Sequence, residues 1–248
     1  MLELINVAAF THSKSSEKTN EDSILLPLKM NDGYIFGIAD GVGSYPGASF
    51  ASKFAIQYIS TIQKIPNEQN IKEILIEIKN KLVELEKLDE AFYKAATTLT
   101  FAYLENKGLH IIHIGDSRLY LKEENKLICL TKDHTQHQKL LDEGLYTARQ
   151  LKDMPGKNIL TTALSQNIEI EYQYSFMKLN DIIDDKGELV VCLMSDGAYE
   201  YWEKRPKFSP NTMGNPTAFS TSLQRRIEKN GPIDDYSLVN AKFKIKPL

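Results

Sequence analysis

Hydrophobic and polar positions alternate quickly at the start of the chain and slowly after it. Residues 24–30 and 34–39 are β-prone runs on either side of Asn31-Asp32-Gly33, a turn signal, and together they predict a hairpin. From residue 48 to 64 the period lengthens. Ala51, Phe54, Ala55, Tyr58, Ile59 and Ile62 then share one face of a helix. A second, clearer stripe runs through Ile71, Ile74, Leu75, Ile78, Leu82, Leu85 and Leu88 with charges between. It stops too soon for a coiled coil, so it predicts core packing. Residues 97–105, 109–114, 118–122 and 126–130 follow as short strands. They are split by Asn106-Lys107-Gly108, Gly115-Asp116 and Glu124-Asn125, the spacing of an antiparallel meander. Residues 134–158 read as polar, helical or irregular. Residues 168–178 and 188–195 return to strand, 206–230 mix loop and helix, and 236–245 close as a strand. No strand is predicted before residue 24. Strands and helices come in blocks, which predicts an α+β sandwich of antiparallel sheets covered by helices.

The composition narrows the class. The 248 residues are 42% hydrophobic and 25% charged, with no repeat or low-complexity tract, so a single domain over 1–248 is expected. Thirty Lys and Arg against 33 Asp and Glu leave a net charge of −3, which argues against a nucleic-acid binder. Cys129 and Cys192 sit in apolar runs and are expected to be buried, reduced thiols. The N-terminus lacks the pattern of a signal peptide, and no apolar run approaches the ~20 residues of a membrane helix. A cytoplasmic protein with no membrane partner, and a monomer, is the expectation.

The candidate chemistry lies in the placement of acidic residues. Asp40-Gly41, Asp116-Ser117 and Asp196-Gly197 each end a predicted strand, while Glu21-Asp22 and Asp234-Asp235 each precede one. A carboxylate at a strand end is held rigidly at the rim of a sheet. Several of them converging would repel one another unless a cation sits between. Oxygen donors of this kind suit Mg²⁺ or Mn²⁺. A glycine after Asp40 and after Asp196 lets the chain turn and brings a backbone carbonyl within reach of the same ion. Any one Asp-Gly is an ordinary turn; the repeated placement points to a shared metal centre.

The order of these segments resembles the metal-dependent serine/threonine phosphatases of the protein phosphatase 2C (PP2C, PPM) family, bacterial single-domain members in particular. The resemblance rests on Asn20-Glu21-Asp22-Ser23, on Asp40-Gly41-Val42-Gly43 with Gly47-Ala48-Ser49 opening a helix, and on Thr97-Thr98. Gly115-Asp116-Ser117-Arg118, Thr131-Lys132-Asp133-His134, Ser195-Asp196-Gly197 and Asp234-Asp235-Tyr236-Ser237 complete it. It implies an αββα sandwich with a site for two Mn²⁺ or Mg²⁺ ions between the sheets. In that resemblance Asp40 bridges both ions, Gly41 contributes its carbonyl, and Asp196 and Asp234 complete the first ion. Glu21 and Asp22 hold the second directly or through water, and Asp116 matches a third, weaker site. Asp40, Asp196 and Asp234 are thereby the catalytic set. The implied reaction is in-line attack of a metal-bridging hydroxide on phosphoserine or phosphothreonine of a protein substrate, with a cognate Ser/Thr kinase as a possible partner. The alternative is a weak or inactive PP2C-like module that regulates by binding protein.

Three positions depart from the family pattern. An Arg that binds substrate phosphate often precedes the Glu by four residues; here that position is Glu17, with Lys14 and Lys18 nearby. Lysine lacks the bidentate fork of arginine. Lys18, and Arg149 in the flap over 139–158 with Lys152, are the candidate substrate contacts. The usual Gly-Gly is Gly43-Ser44, and Val42 stands where some members carry a His as general acid. The last motif reads Asp234-Asp235 where Asp-Asn is commoner; the following strand aligns Asp234 as the ligand, and Asp235 is the alternative.

Other motifs point elsewhere more weakly. Gly115-Asp116-Ser117 is similar to the nucleophile segment of GDSL-type esterases, but Ser117 leads into a strand and no His follows His137. His134 and His137 share a face of a possible helix, expected to be solvated rather than zinc-bound. His110 and His113, three apart in a strand, point to opposite faces. Arg118 is expected in a structural salt bridge, Trp202 as a loop anchor, and Lys204, Arg205 and Lys207 as a charged loop.

Overall fold

A computed structural model describes residues 2–43, 45–152 and 154–245, so Ser44 of the Gly43-Ser44 reading lies outside the described residues. The first sheet contains β1 (Leu2–His12), β7 (Arg118–Glu123), β8 (Lys126–Cys129), β11 (Glu188–Met194) and β12 (Tyr236–Ile245), in the order β1-β12-β11-β7-β8. The second contains β2 (Asp22–Met30), β3 (Gly33–Asp40), β5 (Leu99–Glu105), β6 (Gly108–Ile114) and β10 (Gln173–Lys178), in the order β10-β6-β5-β3-β2. The ladders of both sheets are antiparallel. A short ladder joins β4 (Ala96–Thr97) to β9 (Leu164–Ser165).

Helices cover the outer faces. α1 (Ala48–Thr61) and α2 (Ile71–Val83) lie on the second sheet, and α2 runs on into a 3₁₀ turn over Glu84–Lys87. On the first sheet lie α6 (Asp196–Glu203), α7 (Pro210–Met213) and α8 (Pro216–Asn230). Short helices α3 (Gln136–Asp142) and α4 (Ala148–Leu151) form the flap, and α5 (Leu179–Ile182) follows β10. The expected α+β sandwich of two antiparallel sheets flanked by helices is the architecture found. No helix among the described residues is long and apolar enough to cross a membrane.

The period of two along the strands divides the core into layers. In β3, Ile35 and Ala39 face α1 and α2, whereas Phe36 and Ile38 face the other sheet. In β11, Leu189, Val191 and Leu193 point between the sheets, and Cys192 and Met194 point to α6 and α8. These strands are buried on both faces, which is why they read as continuous apolar runs rather than clean alternation. Trp202 is buried against Phe208 and Phe219, with centroids at 5.6 and 5.2 Å, as expected of an anchor.

Several expectations are corrected. A strand, β1, precedes residue 24; it is an edge strand whose ladder partner among the described residues is β12, at the far end of the sequence. Its residues are mostly half-buried, so no sharp polarity pattern marks it. The predicted strand over 168–178 is ordered as strand only from Gln173, and the one over 97–105 is interrupted at Thr98. Cys192 is buried, but Cys129 is exposed because β8 is the other edge of the same sheet. His134 is not part of a solvated helix: it precedes α3, and its Nδ1 accepts from the Gly115 amide at 3.1 Å. His137 bonds the Pro155 carbonyl at 3.0 Å.

His113 is fully buried on β6, against the His134 ring at 4.9 Å. The Lys132 carbonyl, 3.1 Å from Nε2, can only accept, so Nε2 carries the proton, while Nδ1 lies 2.8 Å from the Thr100 hydroxyl, which also stands 2.9 Å from the Ser117 carbonyl. Burial first, and His134 second, push the His113 pKa down to about 3. An unfolded histidine titrates near pH 6.5. Between those values the unfolded chain binds the extra proton, so this stability is complete above pH 6.5 and lost as pH falls. Relative to His113→Asn, the wild-type protein should lose roughly 2 kcal/mol of unfolding free energy on going from pH 7 to pH 5, read by urea denaturation at each pH. Equal losses in the two proteins would contradict this.

Candidate active site

Where the ends of the two sheets meet, a cavity of about 510 Å³ opens. Asp40 reaches it from the end of β3, Asp116 from the turn after β6, Asp196 from the first residue of α6, and Asp234 from the residues before β12. Glu21, Gly41 and Gly43 line it too, and Lys14 and Lys18 stand in the same wall. The sequence-predicted acidic residues therefore converge, with one exception. Asp22 lies behind the cavity, buried and directly across the ladder from Asp40. Arg149 is also apart, exposed on α4 in the flap, while Lys152 lines a different hollow beside Arg118 and Tyr199.

The backbone beneath Asp40 is fixed by Thr97 and Thr98. The Asp40 amide donates to Thr98 Oγ1 at 3.0 Å; its carbonyl accepts from the Thr98 amide at 2.8 Å and from Thr97 Oγ1 at 2.9 Å. Neither Gly41 nor Gly197 has a positive φ, so the sharp turn expected of them is not their role. Space is. A Cβ on Gly41 would fall 2.7 Å from the Ala48 carbonyl oxygen and 2.8 Å from that of Glu21, and one on Gly197 would strike the Asp235 carbonyl. Any side chain would push the acidic segments apart.

Asp234 and Asp235 divide their tasks. Asp235 is buried, and its carboxylate accepts the Lys14 amide at 2.9 Å and the Glu21 amide at 2.7 Å. It fastens the loop between β1 and β2 to the start of β12. Asp234, with its side chain 50% exposed, faces the cleft and pairs with Lys14 Nζ at 2.8 Å. Ser195 performs a similar service behind the cavity. Its hydroxyl donates to Asp22 Oδ2 at 2.8 Å and accepts the Ser237 amide at 2.9 Å. Asp22 Oδ1 is buried without a hydrogen-bond partner among the described residues.

Crowding sets the electrostatics. Burial, then Asp22, Asp196 and Asp116, hold the Asp40 carboxyl well above the usual range. Burial and Asp196 raise Asp116, and burial and Asp234 bring Asp196 up to about 6. Asp22 rises to about 7, chiefly through burial, against the hydrogen bonds from Ser237 and Ser195. Burial raises Glu21 as well. Carboxylates so placed cannot all ionise cheaply unless positive charge enters. All-oxygen donors, the orphaned Asp22 oxygen and the glycine-lined floor together fit a hard divalent cation. Among the described residues no group of three such side chains already stands at ligand distance.

Away from the cleft, Arg118 makes the salt bridge expected of it. It donates to Asp133 through Nε at 2.8 Å and Nη2 at 2.6 Å and lies 3.9 Å over the Tyr199 ring. The flap is tied to α6 by Lys157–Glu200 at 2.6 Å and borders the cleft through Asn158 and Leu160.

This architecture, with acidic rims facing one another across a two-sheet sandwich, is that of the PP2C-type phosphatases. The family model described as protein phosphatase 2C matches residues 11–232, and the chain belongs to that family. Protein phosphatase PhpP of Streptococcus pneumoniae is 29% identical over 167 residues, 64% of this chain and 65% of that protein. The chain thus spans just under two thirds of that relative's length. Among solved structures, a bacterial serine phosphatase superposes with a TM-score of 0.83 at 19% identity, covering 99% of this chain and 100% of that one. The catalytic domain of the serine/threonine phosphatase PstP, in complex with two manganese ions, superposes at 0.75 with 21% identity over 99% and 100%. At these identities the likeness to solved structures establishes the fold.

Sequence reasoning passed over Asp235, Ser195 and Thr98 as supports and named Lys14 only as a neighbour. Their signal was adjacency to the acidic motifs, which does not say which of two neighbouring residues turns inward. The Asp235 clamp yields a direct expectation. Asp235→Ala leaves two backbone amides without their charged acceptor and should cost about 3 kcal/mol in chemical denaturation. Asp235→Asn, which keeps one acceptor oxygen, should cost roughly half as much. Equal, negligible losses would remove the clamp.

Proposed function

We propose that the cleft hydrolyses phosphoserine or phosphothreonine in proteins with two Mn²⁺ or Mg²⁺ ions bound. The observation that carries this is the gathering of Asp40, Asp116, Asp196 and Asp234 around one cavity, with the carboxyls of Asp40, Asp116 and Asp196 lifted by burial and by neighbouring negative charge. Asp40, Asp196 and Asp234 with the Gly41 carbonyl are the proposed first-ion ligands. Glu21 serves the second, with Asp22, set behind the cavity, acting through water, and Asp116 serves a weaker third. Bound divalent ions supply Lewis acidity and a water acidified to near neutral pH.

The chain's own residues position the phosphate. Lys14 and Lys18 stand beside the carboxylates where a phosphoryl group needs positive charge. Lys14 is held by its bond to Asp234, which, with the neighbouring negative charges, raises its pKa despite partial burial. A phosphate dianion offers its ammonium a second acceptor. Lys14 thus takes the part the resemblance gives to the arginine replaced by Glu17. No histidine lines the cleft among the described residues, so the proton for the departing serine or threonine oxygen would come from a metal-bound water or another group. The substrate is a phosphorylated protein, and a Ser/Thr kinase is the class of enzyme that supplies it. We take 1–248 as one domain built around this cleft.

A phosphothreonine peptide with Mn²⁺ should be turned over, and EDTA should stop it. Asp40→Ala and Asp196→Ala should fall to the level of the EDTA-treated protein and lose Mn²⁺ binding in calorimetry. Lys14→Ala should raise KM roughly tenfold or more with kcat less affected. A wild-type protein no faster than Asp40→Ala would leave the protein-binding regulator as the surviving account.

A further inference from the structure

A second cavity, of about 270 Å³, opens against the first and differs from it in chemistry. Val42, Asn158 and Leu160 line both. Beyond them the second cavity is walled by Tyr45, Ala96, Ile159, Ala163 and Ile168, with threonines, and among the described residues no charged one lines it. The first carries Lys14, Lys18, Glu21 and the aspartates. Two of the wall residues are large apolar side chains left exposed, Tyr45 at 40% and Ile159 at 58%. Both walls are held by backbone bonds. The Val42 amide donates to the Ala96 carbonyl at 2.9 Å, and the Tyr45 amide to that of Val42 at 3.0 Å. Opposite, the Gln136 amide donates to the Ile159 carbonyl at 2.8 Å, the Thr161 amide to that of His134 at 2.9 Å, and Leu160 bridges Thr135. The hollow is therefore formed before anything enters it.

Resting on the phosphatase reading of the cleft, we infer that this hollow is a specificity subsite for an apolar side chain one or two residues from the phosphorylated serine or threonine. The shared wall at Val42 and Leu160 sets the distance, since an extended peptide advances about 3.3 Å per residue. The occupant is apolar because a charged side chain would find no counter-charge among the lining residues and would lose water on entry. Asn158, exposed on the shared rim, has an amide free to bond the peptide backbone as it crosses.

The test measures binding and turnover separately. Peptides carry a non-hydrolysable phosphonate analogue of phosphothreonine between serines, with leucine placed singly at each of the two positions on either side. Affinities are read by fluorescence anisotropy with Mn²⁺ present. At one position leucine should bind roughly tenfold or more tighter than serine. That ratio should collapse in Ile159→Asp, an exposed site where the change does not disturb packing, and in Ala163→Leu, which fills the hollow. Each ratio is taken within one protein, so altered basal affinity cancels. No leucine advantage at any position, including no measurable binding of any peptide, overturns the subsite; so does an advantage that survives both variants. Turnover of the matching phosphothreonine peptides decides the other matter. Its absence would sink the phosphatase reading, while the affinity ratio would still judge the subsite.

Discussion

Like-charge repulsion at the junction of the two sheets is the constraint around which this molecule is arranged. The packed sandwich brings Asp40, Asp116 and Asp196 to one opening because each ends or follows a strand buried on both faces. The strands cannot retreat without exposing the core between the sheets, at roughly 1.5–3 kcal/mol for each large apolar side chain. The carboxylates are thus held together by forces unrelated to their own chemistry. Burial and proximity lift their proton affinity, and that stored conflict gives the cleft its appetite for cations.

A ring of supporting contacts keeps the conflict from being relieved by movement. Thr97 and Thr98 hold the Asp40 peptide, Asp235 ties the Lys14 and Glu21 amides, and Ser195 links Asp22 to the Ser237 amide. Each support uses a neutral hydroxyl or a backbone amide, groups that add no further negative charge to the opening. Asp235 is the exception, and its charge is absorbed by two amide donors. Among the described residues, Lys14 is the one side chain that answers Asp234 directly with charge. The neighbouring hollow behind Val42 and Leu160 is built from the opposite material, so polar and apolar recognition meet along a single shared wall.

How much of this was legible beforehand differed by kind of interaction. The aspartates at strand ends and most of the helical stripes of α1 and α2 are local patterns and fell where the pattern said, although α1 stops at Thr61 and Leu88, the last position of the second stripe, is exposed rather than packed in the core. The strand β1 was missed because its stabilising partner is β12, at the far end of the chain, and its half-buried edge leaves no sharp alternation. His134 was misplaced because its ring leaves the helix to meet Gly115 and His113, a contact across the fold. Cys129 looked like core because an edge strand and a central strand share the same composition. The division between Asp234 and Asp235 depends on which way two adjacent side chains turn, and the amides that hold Asp235, those of Lys14 and Glu21, lie more than two hundred residues earlier in the chain.

The clamp at Asp235 also orders events in time. β12 is the final strand, it separates β1 from β11, and its first turn supplies both Asp234 and Asp235. While a ribosome is still making the chain, the loop bearing Lys14 and Glu21 has nothing to fasten to, and β1 has no ladder. The acidic opening is therefore assembled last, by the pairing with the largest sequence separation, the slow kind in folding. A growing chain carries most of its core but no organised cleft. The cleft is complete only once β12 has paired with β1 and brought Asp234 and Asp235 to the loop that carries Lys14 and Glu21.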